Sequence, residues 1–105
     1  ESGHFNILPV PPNAKQNAHL YALVCHSLEE RTALIAALKA HNINVVFHYL
    51  SLHQSPYFQS RHDGRDLPQA DRYTDCLVRL PLFYELTLDQ VDRVCDVIAK
   101  HFKLS

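Results

Sequence analysis

Hydrophobic positions in this chain fall into short blocks separated by polar and proline-containing stretches, and each block has its own period. From His19 to Val24 (HLYALV) the residues alternate, Leu20, Ala22 and Val24 against His19, Tyr21 and Leu23, as a strand requires. Ser27-Leu28-Glu29-Glu30 has the S-x-x-E form of a capping box, in which Ser27 accepts from an early helical amide and Glu30 reaches back to the Ser27 amide. A helix is expected from that point. Its apolar stripe is Leu34, Ile35 and Leu38, and it ends at His41-Asn42, since asparagine tolerates the left-handed conformation. Ile43 to Phe47 (INVVF) reads as a second strand with Ile43, Val45 and Phe47 on one face, which puts His48 with Val46 on the other.

Between Tyr49 and Asp66 neither period is present, and so long a loop in a small domain is uncommon unless it is functional or docks on something else. Asp66-Leu67-Pro68 resembles a helix start with proline at the first helical position, leading into a short helix over Ala70 to Asp75. Leu77 to Leu80 (LVRL) is a third strand, stopped by Pro81. Thr87-Leu88-Asp89-Gln90 is a second capping box, followed by Leu88, Val91, Cys95, Ile98 and Phe102 at steps of three and four. Residues 1–18, with Pro9, Pro11 and Pro12 and no sustained period, read as an extended lead-in, and residues 19–105 as the folded unit. The expected fold is therefore α+β: a three-stranded, mainly antiparallel sheet with helices packed on one face. A right-handed split βαβ would leave a gap between the first two strands, which the third fills antiparallel.

Charge changes the picture little. Ten basic and eleven acidic residues give a formal charge of -1, and the basic residues are scattered, so no footprint for nucleic acid or an anionic membrane surface is present. No run of about 18 apolar residues and no signal-peptide pattern occurs, and the cysteine usage is the ground for expecting a cytoplasmic protein. Cys25, Cys76 and Cys95 match neither a zinc ribbon nor a CxxC pair, and are expected to be reduced and buried. The absence of any methionine suggests a piece of something longer.

The candidate chemistry lies in FHYLSLHQSP, Phe47 to Pro56, where His48, Tyr49 and His53 stand at a strand end and the start of the long loop, a common place for ligand contacts on a rigid scaffold. Metal binding is disfavoured: the five-residue gap between the histidines lacks the i,i+4 logic of helical pairs, and no thiolate or acidic cluster completes a shell. Nucleophilic catalysis is weaker still, with no G-x-S-x-G or cysteine-histidine signature and no pocket motif around Lys15, Lys39, Lys100 or Lys103. Two readings stay open. His48 and Tyr49 either contact a ligand or merely pack, His48 at an edge and Tyr49 with its ring buried and its hydroxyl bonded to backbone. Arg79 shares a face with Leu77, opposite Val78 and Leu80, and could meet a phosphate or a surface carboxylate.

NAHLYAL (Asn17–Leu23), VFHYLSLH (Val46–His53) and LVRLPLFYELT (Leu77–Thr87), in that order, resemble the C-terminal part of the sugar-nucleotide aminotransferases, a pyridoxal-phosphate family. Within it the likeness is greatest to the subgroup that makes dTDP-4-amino-4,6-dideoxygalactose for enterobacterial common antigen and lipopolysaccharide. The resemblance implies the small C-terminal domain of an aspartate-aminotransferase-type fold (fold type I), preceded by an N-terminal domain that carries the Schiff-base lysine and the cofactor contacts. Its further implications are pyridoxal 5'-phosphate in the full-length parent and none bound by this chain alone, a nucleotide-sugar substrate, an amino-acid donor such as L-glutamate, and a homodimeric parent. His48, Tyr49, His53 and Arg79 become candidate substrate-binding residues, with no catalytic residue and no metal in this part. Relatives commonly show proline just before the Leu-His pair, whereas this chain has Ser51, which leaves the loop path open. A free-standing small-molecule sensor or a purely structural α+β module is the competing expectation.

Overall fold

The computed structural model describes residues 3–104. Four strands, β1 (Asn6–Ile7), β2 (Tyr21–Val24), β3 (Val46–Phe47) and β4 (Leu77–Leu80), form one sheet in the order β1-β2-β4-β3, and all pairings are antiparallel. The strand at Leu77 does fill the gap between the other two predicted strands. The expected count of three is corrected by β1, where Asn6 and Ile7 lie opposite Val24 and Leu23. Two residues inside a proline-rich stretch carry no readable period, so this pairing becomes visible only when β2 presents an open edge. β3 is also shorter than expected. Ile43 and Val45 are buried in the core, but only Val46 and Phe47 join the ladder, and Phe47 is partly exposed.

Cross-strand partners share a face of an antiparallel sheet, so the register sorts the side chains. Leu23, Val78 and Phe47 point to one side, and Ala22, Arg79 and Val46 to the other. Alternation then places His48 on the second side, with Leu77. Helices α1 (Leu28–Ala40) and α3 (Leu88–His101) cover the first side through a cluster of Leu23, Cys25, Leu34, Leu38, Ile43, Val45, Val78, Val97 and Ile98. Phe5 and Phe102 close its margin, and their rings lie 5.5 Å apart. The helix α2 (Pro68–Cys76) contributes no side chain to this cluster. Its Ala70, Tyr73 and Thr74 line a cavity with His48 and Leu77, beside α1.

Both caps form, with one difference. Thr87 and Gln90 bond reciprocally, the Thr87 N–H donating to Gln90 Oε1 at 2.9 Å and the Gln90 N–H to Thr87 Oγ1 at 3.3 Å. Ser27 Oγ accepts from the Glu30 N–H, but the Glu30 carboxylate accepts from the His26 N–H at 3.0 Å, one residue earlier than a capping box requires. Helix α1 ends with Asn42 at φ 58, and the Ile43 N–H donates back to the Leu38 carbonyl, a left-handed C-terminal cap. Helix α3 departs from its expected stripe. Val94, Val97, Ile98 and Phe102 face inward, while Leu88, Val91 and Cys95 are exposed, Leu88 at 82%. Of the three cysteines, then, Cys25 and Cys76 are buried and Cys95 is not. Among the described residues no helix is long and apolar enough to cross a membrane.

Candidate functional site

The loop after β3 is organised by its contacts with α2. Pro68 opens α2 at its first turn, and the helix runs straight into β4, so its position is set by the central strand. Arg31 of α1 braces the same corner: its guanidinium lies 5.2 Å from the Phe47 ring centroid and donates from Nη1 to the Thr74 carbonyl at 3.3 Å. Ser51 is the first tether of the loop. Its hydroxyl donates to the Ala70 carbonyl at 3.1 Å and lies in short hydrogen-bond contact with Thr74 Oγ1. Its dihedrals, φ -60 and ψ 141, are those a proline would adopt.

Two cavities flank this tether. The first, about 230 Å³, is lined by His48, Tyr49, Leu50, Ser51, Ala70, Tyr73, Thr74 and Leu77. The His48 and Tyr49 rings lie 4.5 Å apart at 55°, and Tyr49 is 67% exposed. Within this chain the Tyr49 ring is therefore not buried. His48 is half-buried, and its Nδ1 is enclosed without a hydrogen-bond partner. An enclosed polar atom left unpaired is destabilising by about 1–3 kcal/mol, a feature associated with sites whose partner group arrives from elsewhere.

The second cavity, about 340 Å³, is walled by Leu52, His53, Phe58, His62 and Leu67, with Arg61 and Arg65 also lining it. His53 sits on a 3-10 turn (Leu52–Gln54), and its Nε2 lies 2.9 Å from Asp71 Oδ1 on α2. Gln54 Nε2 donates to the same oxygen at 2.7 Å. The rings of His53 and His62 are 5.3 Å apart, and His62 Nε2 is 2.9 Å from the Arg65 carbonyl oxygen. Arg61 stacks over Tyr57 at 4.4 Å.

Of the four residues singled out in the sequence, His48 and Tyr49 share one cavity, His53 lines the other, and Arg79 lines neither. Arg79 is half-buried on the same sheet face as His48, and among the described residues it forms no ion pair. Sequence reasoning missed Tyr73, Thr74 and Asp71, which reach the loop from a helix whose register was not read, and His62, Arg61 and Arg65, which lie in a stretch without period. Among the described residues no cluster of three or more His, Cys, Asp or Glu side chains is placed to hold a metal ion. Neither cavity includes a lysine, so they lack the amine that pyridoxal phosphate requires for covalent attachment, and the residues gathered here do not fit that cofactor.

Solved structures of known proteins share this fold. DesV from S. venezuelae, solved in complex with a ketimine intermediate, is similar over 95% of this chain and 27% of its own, at 24% identity and a TM-score of 0.85. Spr1654 from Streptococcus pneumoniae, named a putative sugar aminotransferase, matches over 95% and 26%, at 24% identity and a TM-score of 0.81. PseC from Helicobacter pylori, an aminotransferase involved in the biosynthesis of pseudoaminic acid, matches over 95% and 28%, at 22% identity and a TM-score of 0.78. At these identities the likeness establishes a common fold, and the chain spans 26–28% of the length of these structures. The sequence profile described as the DegT/DnrJ/EryC1/StrS aminotransferase family matches residues 1–99, and this chain belongs to that family.

Proposed function

We propose that this chain is the sugar-holding lobe of a pyridoxal-phosphate-dependent aminotransferase that transfers an amino group from L-glutamate to C4 of a dTDP-4-keto-6-deoxyhexose, for cell-surface polysaccharide synthesis. The cofactor would act as the amino-group carrier between donor and ketone, held by a part of the protein outside this chain. The chain's own contribution is binding and orientation. His48 and Tyr49 hydrogen-bond the hexose or its diphosphate, His53 faces the sugar, and Arg79 meets a phosphate oxygen.

The observation that carries this reading is the His48–Tyr49 pair: a largely exposed phenol against a half-buried imidazole with an unpaired nitrogen, at the lip of a cavity, in a chain of the aminotransferase family. In the full-length enzyme, His48→Ala and Tyr49→Phe should each lower kcat/KM for the keto-sugar by the equivalent of about 1–3 kcal/mol, the usual effect of losing a polar contact. Steady-state kinetics with both variants unchanged would take the pair out of the site.

A further inference from the structure

We infer that Asp71, a residue of α2 outside the sugar-holding group named above, is a positioning residue for it, fixing which nitrogen of His53 faces the ligand. The inference rests on the proposed sugar-holding role of His53. Asp71 Oδ1 receives two groups of the same 3-10 turn, His53 Nε2 at 2.9 Å and Gln54 Nε2 at 2.7 Å. A carboxylate is an acceptor, so it selects the imidazole form with the proton on Nε2, and in the neutral ring Nδ1 is then left as an acceptor. No hydrogen bond among the described residues is recorded at His53 Nδ1, and the ring is one wall of the 340 Å³ cavity. The complementary ligand group is an O–H donor, as a hexose hydroxyl would provide.

The surroundings support a fixed ring. His53's side chain is only 13% exposed, its ring lies 5.3 Å from that of His62 at a tilt of 48°, and His62 is held in turn through its Nε2 at the Arg65 carbonyl. Second contacts of this kind commonly orient an imidazole whose other nitrogen does the recognition. Asp71 also belongs to the face of α2 that carries Ala70 and Thr74, the two partners of Ser51, so one helix face sets both the path of the loop and the orientation of its second histidine.

The test is a double-mutant cycle in the full-length enzyme, reading the keto-sugar and amino-donor half-reactions separately. Asp71→Ala is expected to lower kcat/KM for the keto-sugar about 10-fold, as does His53→Ala, with the double variant little worse than either and the donor half-reaction unchanged. Asp71→Asn, which keeps an oxygen acceptor for the ring, should recover activity to within about threefold of wild type. If Asp71→Ala does not fold, Asp71→Leu replaces it in the cycle. An Asp71 effect that persists undiminished in the His53→Ala background, or that lowers both half-reactions alike, would overturn the inference, because a merely structural aspartate acts in that way. Wild-type rates in Asp71→Ala beside a crippled His53→Ala would overturn it too, while leaving the sugar-holding reading intact. Wild-type kinetics in His53→Ala would overturn both the inference and the sugar-facing role of His53.

Discussion

At Ser51 the chain keeps proline-like dihedrals and ties its hydroxyl to α2. Ser51→Ala should lower stability by about 1 kcal/mol through the lost hydrogen bond. Ser51→Pro should regain about 0.4–1 kcal/mol of that by restricting the unfolded chain. Urea midpoints of the three proteins decide it, and an alanine variant as stable as the parent would show that the tether carries no weight. A second residue-scale effect concerns pH. Burial pushes the Cys25 thiol from 9.0 up to about 11, with Glu30 and then Cys76 adding to the rise. Because the folded value lies above the unfolded one, this stabilisation is whole below about pH 9 and is lost as pH climbs from there toward 11. The fall is at most about 1.4 kcal/mol per pH unit for one group. Unfolding followed between pH 8 and 10.5 should show a shallower decline for Cys25→Ala than for the parent.

Secondary-structure elements divide by whether their determinants are local. Caps depend on residues three or four apart, so the starts of α1 and α3 and the left-handed end of α1 at Asn42 were readable in the chain. The inward face of α3 was not. Its apolar residues form two overlapping stripes at helical spacing, and the choice of Val94, Val97 and Ile98 over Leu88, Val91 and Cys95 is made by α1 and the sheet against which it packs. Ile98→Ala should therefore cost about 2–5 kcal/mol as a core truncation. Leu88→Gln should stay within about 0.5 kcal/mol of the parent, as an exposed substitution does. Thermal or chemical unfolding of the two variants checks both, and a large loss at Leu88 would mean that its side chain is covered in the folded chain. The candidate site divides in the same way. His48, Tyr49 and His53 stand out because they are chemically distinctive within ten residues, whereas Asp71 and Thr74 matter only through contacts spanning about 20 residues of chain.

For the whole molecule, the chain belongs to the aminotransferase family and leaves its loop aromatics Tyr49 and Tyr57 largely exposed. The 105-residue chain alone should show no amination of a dTDP-4-keto-sugar. A thermal-unfolding scan with that ligand should also move its midpoint little, since binding to a partial pocket stabilises weakly. A shift of several degrees at micromolar ligand would favour a free-standing sensor instead. The sequence by itself determined the helix caps, the strand order around Leu77 and the histidine-tyrosine segment, because each is written in neighbouring residues or in a short ordered pattern. Tertiary structure alone decided that Asn6 and Ile7 complete the sheet, that α3 turns Val97 rather than Leu88 inward, and that α2 clamps the loop through Ser51 and Asp71. Each of these depends on which surfaces meet after the chain has folded, and periodicity along a chain records which side of an element is apolar without recording what comes to rest against it.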